Sequence, residues 1–213
     1  MNTFAKDIDL LHWEPTIFKD AAFVSQTLVS GTGSLSGTQF TLASSLLGGV
    51  EIIDAEVIYL GGSIDGCFPI VSIDSGTELT LSILYDKLTG DPPTPARIGP
   101  DPSDIPFVIR TFWAQRSIVT QLLLQFLGLT PEQFDAVLNP EALRRACTLG
   151  ALQMIYSAMS AAAPDAAGLS VRADLYERLY RRAIRVARVE LDLNGDGEAD
   201  ARRTLNTLAL VRD

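Results

Sequence analysis

The pattern of hydrophobic and polar positions changes character partway along the chain. Up to about residue 90, short runs rich in Val, Ile, Thr and Phe alternate with Gly/Ser clusters, as strands separated by turns do. The pattern predicts strands at residues 23–30, 38–42, 51–60, 68–74 and 78–84, with turns at 30–34 and 74–77. Strands so short and closely spaced imply a small barrel or sandwich. Residues 91–106 hold six of the eleven prolines and read as a stiff, extended connector. From Phe107 the period becomes helical. Residues 107–110 read as a short strand placed to pair with a C-terminal strand at 204–212.

A helix is predicted from about 111 to 127, with Gly128 at its C-cap. Thr130, Pro131 and Gln133 form a capping-box signature that opens a short helix. Asn139 is the expected N-cap of a helix running to about Met159. Residues 161–168 read as a loop, and Ser170 as the N-cap of a last, long helix. The expected fold is therefore α+β: an N-terminal small β-barrel or sandwich-like domain with an N-terminal arm (1–90), a Pro-rich linker (91–106), and a C-terminal α-helical bundle with a closing β-strand (107–213).

The last helix carries the most distinctive pattern. At 100° per residue, Leu175, Tyr176, Leu179, Tyr180, Ala183, Ile184, Val186 and Ala187 fall on one broad face. Arg178, Arg181, Arg182, Arg185 and Arg188 fall on the other. Asp174 and Glu177 stand four residues before Arg178 and Arg181, and each such pair adds only about 0.2–0.5 kcal/mol. Burial of the Leu/Tyr face must therefore hold the helix. An arginine stripe of this kind is either a solvated face or a subunit or partner interface, where the planar guanidinium pairs carboxylates bidentately. Nucleic acid is a third reading.

The turn that follows matches part of a calcium loop. Asp192, Asn194, Asp196, Gly197, Glu198 and Asp200 stand at its first, third, fifth, sixth, seventh and ninth positions. The twelfth, which should be a bidentate Glu, is Arg203. Calcium held there would be weak, with a dissociation constant of about 10⁻⁴–10⁻³ M. The other reading is a chain-reversing turn, since Gly, Asn and Asp tolerate positive φ.

Composition narrows the remaining chemistry. The 47% hydrophobic content is high for a soluble monomer and predicts apolar surface covered by partners. The richest apolar run, residues 118–129, is too short to cross a membrane and contains Gln121 and Gln125. The N-terminus lacks the apolar core of a signal peptide, which predicts a protein made and kept inside a cell. Cys67 and Cys147 are far apart in sequence and are expected to be reduced core residues. Residues 1–110 hold 14 acids and 5 bases, whereas residues 111–213 hold 12 of each. That asymmetry argues against a general nucleic-acid binder. The Gly/Ser clusters are not phosphate loops, because no Lys follows them and no helix opens after them. The single histidine, His12, cannot by itself build a hydrolase or zinc site. The carboxylate pairs Asp54/Glu56 and Asp101/Asp104 read as solvated surface of an acidic protein, so no enzyme and no cofactor is expected.

Three segments of the second half carry a family resemblance. Residues 110–117 (RTFWAQRS) open a helix, 143–150 (LRRACTLG) lie in a second, and 175–182 (LYERLYRR) lead into 192–197 (DLNGDG). Over residues 107–213, about half of the chain, the sequence resembles the head–tail connector (adaptor) proteins of tailed bacteriophages. The resemblance implies a non-enzymatic virion protein of the neck, made in the host cytoplasm. It implies a homo-oligomeric ring contacting the portal protein and tail or other neck proteins. DNA would pass through such a ring without specific binding. The β-rich part departs from the smallest members of that family, which are helical alone.

Overall fold

The computed structural model describes residues 2–21, 26–44, 55–83, 95–164 and 166–205. They form two compact units: residues 7–112 in one, and residues 1–6 with 113–213 in the other. In sequence, the first unit is thus an insertion between the opening residues and the helices.

The inserted unit is a closed, wholly antiparallel six-stranded barrel. Its strands are β1 (Gln26–Ser36), β2 (Gln39–Leu42), β3 (Val57–Leu60), β4 (Gly66–Ile73), β5 (Glu78–Leu81) and β6 (Ile105–Thr111). The order around the barrel is β1-β2-β5-β4-β3-β6. β6 closes it: Ile105 to Thr111 pair with Gly33 to Gln26 of β1 on one side, and Phe107 to Ile109 pair with β3 on the other. Each strand therefore has a neighbouring strand on both sides. The alternation of β2, β5 and β6 directs Phe40, Leu42, Leu79, Leu81, Ile105, Phe107 and Ile109 inward. Phe40 and Phe107 meet edge to face, ring centres 5.3 Å apart. Two short helices belong to the same unit, α1 (Asp7–Trp13) and α2 (Ile17–Asp20), with Leu10, Leu11, Ile17 and Phe18 buried. Buried Asp7 accepts from the Thr111 hydroxyl at 2.7 Å and the Phe112 amide at 3.0 Å, fixing the entry of α1 against the end of β6.

This arrangement corrects the expected fold, a barrel or sandwich-like domain followed by a helical bundle with a closing strand. The glycine-rich stretch read as a turn at 30–34 lies inside β1. A Cβ on Gly33 would sit 2.5 Å from the Phe40 ring, so the strand needs glycine there for close approach rather than for reversal. The strand beyond the proline-rich connector pairs with β1 and β3 and not with a C-terminal strand, because its inward residues complete the barrel core. The expected strand segments 23–25, 51–54 and 84, connector residues 91–94, and the C-terminal strand from 206 onward lie outside the described residues.

The second unit contains α3 (Trp113–Phe126), a 3₁₀ turn (Pro131–Ala136), α4 (Glu141–Ala162) and α5 (Ala167–Val186). A hairpin follows, made of β7 (Arg188–Leu191) and β8 (Ala201–Thr204). The punctuation of α3 follows the sequence: Gly128 adopts φ +71° and the Leu129 amide bonds back to Leu124 O at 2.9 Å. The Thr130 amide donates to Gln133 Oε1 at 3.0 Å, as a capping box requires. Asn139 is not the N-cap of α4. Its side chain instead accepts from the Glu190 amide at 2.9 Å and donates to Arg188 O at 3.1 Å, tying β7 to the start of the helix. Ser170 likewise lies inside the first turn of α5, which opens at Ala167. The opening residues are held by this unit: Phe4 is buried and stacks on Phe134 at 4.7 Å, and Arg116 donates to Thr3 Oγ1 and Ala5 O.

Three helices meet at Gly150. A Cβ there would lie 2.8 Å from Val119 of α3 and 3.0 Å from the Tyr180 ring of α5. We predict that Gly150→Val destabilises the helical unit by about 1–3 kcal/mol through overpacking, read by urea denaturation. An unchanged midpoint would show that the helices are not this closely apposed.

Candidate functional site

α5 is oriented by what it buries. Tyr176 stacks on Tyr156 of α4 with ring centres 5.6 Å apart and planes 7° from parallel. Arg172 donates to the Tyr156 hydroxyl at 2.8 Å and lies over that ring. Ala173, Tyr176, Ala183 and Ala187 are buried on this side. The opposite side is therefore presented to solvent, and Arg178, Arg181, Arg182 and Arg185 are all exposed on it. Arg188 is exposed too but does not belong to the helix. α5 stops at Val186, and Arg188 is the first residue of β7, paired with Thr204.

The buried face is narrower than the pattern predicted. Leu175 and Val186 are exposed, Val186 at 69%, as is Val171 at 65%. Val171, Leu175, Arg178, Arg182 and Val186 follow one another at steps of four, three, four and four, so they form a single row along the helix. That spacing was legible in the sequence, and following the arginine row instead of the apolar arc would have found the two misplaced residues. A second apolar row was also missed. Ile118, Leu122 and Phe126 of α3 stand four residues apart and are all exposed, Phe126 at 60%. Scattered exposed apolar residues mean little, whereas these two rows are regular along their helices.

The arginine face is electrostatically unbalanced. Arg181 pairs with Glu177. Among the described residues Arg178, Arg182 and Arg185 form no ion pair, and the expected partner Asp174 does not bridge to Arg178. The four helical arginines make four like-charge contacts at three- and four-residue spacing, which cost about 1–2 kcal/mol together in an isolated helix. An anionic partner would relieve that cost.

The hairpin tip is the opposite case. Residues 192–200 contain Asp192, Asp196, Glu198 and Asp200 and no base. None of these carboxylates forms an ion pair among the described residues. The loop is shaped by its own acceptors. Asp192 accepts from the Gly195 and Gly197 amides at 2.6 and 2.8 Å, and both glycines adopt positive φ. Asp200 Oδ2 accepts from the Leu193 and Asn194 amides. Asn194 donates its amide nitrogen to Asp196 at 3.0 Å and to Asp200 at 3.2 Å, which brings the candidate ligands Asp192, Asn194, Asp196 and Asp200 into one loop. Arg203 turns away and donates to Leu127 O. No cluster of three or more metal-binding side chains is present among the described residues.

Other sequence candidates have structural partners. Asp101 pairs with Arg97 at 3.0 Å and accepts from the Gly37 amide, and Glu56 accepts from the Ile8 amide. Asp54 lies outside the described residues. His12 bonds through Nδ1 to Ile8 O. Cys67 and Cys147 are both free and buried, and burial raises the Cys67 thiol to about 11, which keeps it protonated at neutral pH.

Among the described residues no helix is long and apolar enough to cross a membrane. No family model, curated protein or solved structure matches this chain.

The Gly197 amide, followed by weaker amide contacts, holds the Asp192 carboxyl below the ordinary aspartate range. A depressed carboxyl contributes stability above its ordinary value and loses it as pH falls through the lowered one. The amide protons of Gly195 and Gly197 should therefore titrate together in NMR spectra, with a midpoint below that of an unperturbed aspartate. A midpoint at or above the ordinary value would contradict the loop geometry.

Proposed function

We propose that this chain is a structural subunit that associates with copies of itself into a ring in the neck of a tailed bacteriophage. In this reading the ring joins the portal to the tail or to other neck proteins, and DNA passes through without being gripped. The observation that carries it is the exposed row Val171, Leu175, Arg178, Arg182 and Val186 on α5. Apolar residues interleaved with arginine and no lysine have the composition of an interface, not of a solvated helix. The resemblance of residues 107–213 to connector proteins supports the same reading. The acidic balance of the first 110 residues is compatible with a passage for DNA, because it repels phosphate.

Replacing Arg178, Arg182 and Arg185 together by Ala tests the assignment. These side chains are exposed and form no ion pair among the described residues, so the melting temperature should change little. Self-association or association with portal should weaken at least about tenfold, as loss of interfacial arginines does. Unchanged association would remove the interface role from this face.

A second reading, calcium binding, is favoured by one observation. Asn194 bridges Asp196 and Asp200, so that oxygens from Asp192, Asn194, Asp196 and Asp200 belong to one short loop. Rotating the Asn194 amide would exchange its nitrogen for an oxygen among carboxylates, a change that only a cation would favour. Calorimetry with millimolar calcium tests it: binding heat that disappears in Asp196→Ala supports this reading, and absence of heat ends it.

A further inference from the structure

We infer that the arginine face of α5 is occupied by the acidic hairpin tip of a second copy of this chain, in a head-to-tail contact. The inference rests on the ring reading above and names its two surfaces. Both lie in the helical unit, and among the described residues each lacks what the other supplies. The face carries Arg178, Arg182 and Arg185 without an ion pair among the described residues, and the tip carries Asp192, Asp196, Glu198 and Asp200 in the same condition. The face also exposes Val171, Leu175 and Val186, and the tip exposes Leu193. The match is therefore apolar as well as electrostatic.

Area sets the scale of the contact. A helix of 20 residues is about 30 Å long and about 10 Å wide, so one face offers about 300 Å². A stable contact buries about 800 Å² on each partner. The α5 face is too small by itself, so the pairing of arginines with the hairpin tip would be one part of a larger subunit contact. Using two different patches of one chain makes the contact heterologous. Such contacts close into rings when the rotation between neighbours divides the circle, and otherwise run on as filaments. Within the loop one carboxylate is left over. The loop's backbone amides already satisfy Asp192 and Asp200 from within, while Glu198 has no side-chain partner among the described residues and stays available to a guanidinium.

Charge reversal on the full chain tests the pairing. One variant carries Arg182→Glu and Arg185→Glu, and the other carries Asp196→Lys and Glu198→Lys. Each alone should self-associate at least about tenfold more weakly than the wild type in sedimentation velocity at low salt with EDTA. Mixed in equal amounts they should regain association, because the acidic tip of the first meets the intact arginines of the second, and the basic tip of the second meets the new glutamates. Glu198→Lys alone, which disturbs no bond within the loop, should lie between wild type and the double variant. Recovery on mixing establishes the contact. If the face variant loses association while both tip variants keep it, the face binds another surface and the pairing is overturned, with the ring reading intact. If the face variant keeps self-association but loses binding to a DNA duplex, the arginines serve nucleic acid and the pairing is also overturned. A wild-type chain that stays monomeric at every concentration, alone and with a portal protein, overturns both the pairing and the ring.

Discussion

The apposition of three helices at Gly150 decides what the helical unit shows to water. Without a side chain at that position, Val119 of α3 and Tyr180 of α5 both reach the backbone of α4. α5 then lies close enough for Tyr176 to stack on Tyr156, and the rotation of α5 about its axis is set. That rotation buries Ala173, Tyr176 and Ala183 and leaves the row Val171, Leu175, Arg178, Arg182 and Val186 exposed. A side chain at residue 150 would push α5 away and loosen the stack that orients it. The arginine face is thus a consequence of packing on the far side of the helix, and not only of where arginines occur in the sequence.

Much of the helical unit was legible because its signals are local. Gly128, Thr130, Pro131 and Gln133 punctuate the chain through contacts within a few residues, and the structure uses them so. The misreadings are those in which distant partners override local preference. Asn139 looks like an N-cap, but its side chain is taken by Arg188 and Glu190, some fifty residues on. The end of α5 carries no glycine or proline, and β7 begins there because Arg188 to Leu191 pair with Ala201 to Thr204. Leu175 and Val186 sit at the margin of the apolar arc, where period alone does not decide between core and surface.

The barrel shows the same division on a larger scale. Alternation exposed its inward residues, but the number and closure of its strands depend on pairings between residues far apart in sequence. Gly31 and Gly33 read as a turn because glycine is common there, and Gly33 is needed instead because Phe40 lies against its backbone. β6 follows a proline-rich stretch and so reads as the start of something new. Its partners are β1 and β3, and its residues Ile105, Phe107 and Ile109 complete the barrel core. The attachment of Phe4 beside Phe134 left no trace in the sequence at all, since the contact joins the first residues to a turn more than a hundred positions later.

For function, what matters is that among the described residues charge of both signs is left unmatched in one unit: guanidinium groups on α5 and carboxylates at the hairpin tip. Self-association in a ring would satisfy both and would cover the apolar residues between them. The mass of the wild-type chain in solution tests this most directly, by light scattering at rising concentration, alone and with a portal protein. The ring account predicts a mass that grows to a fixed multiple of the monomer, or a monomer that joins portal as a defined multimer. A chain that stays monomeric under both conditions would contradict it.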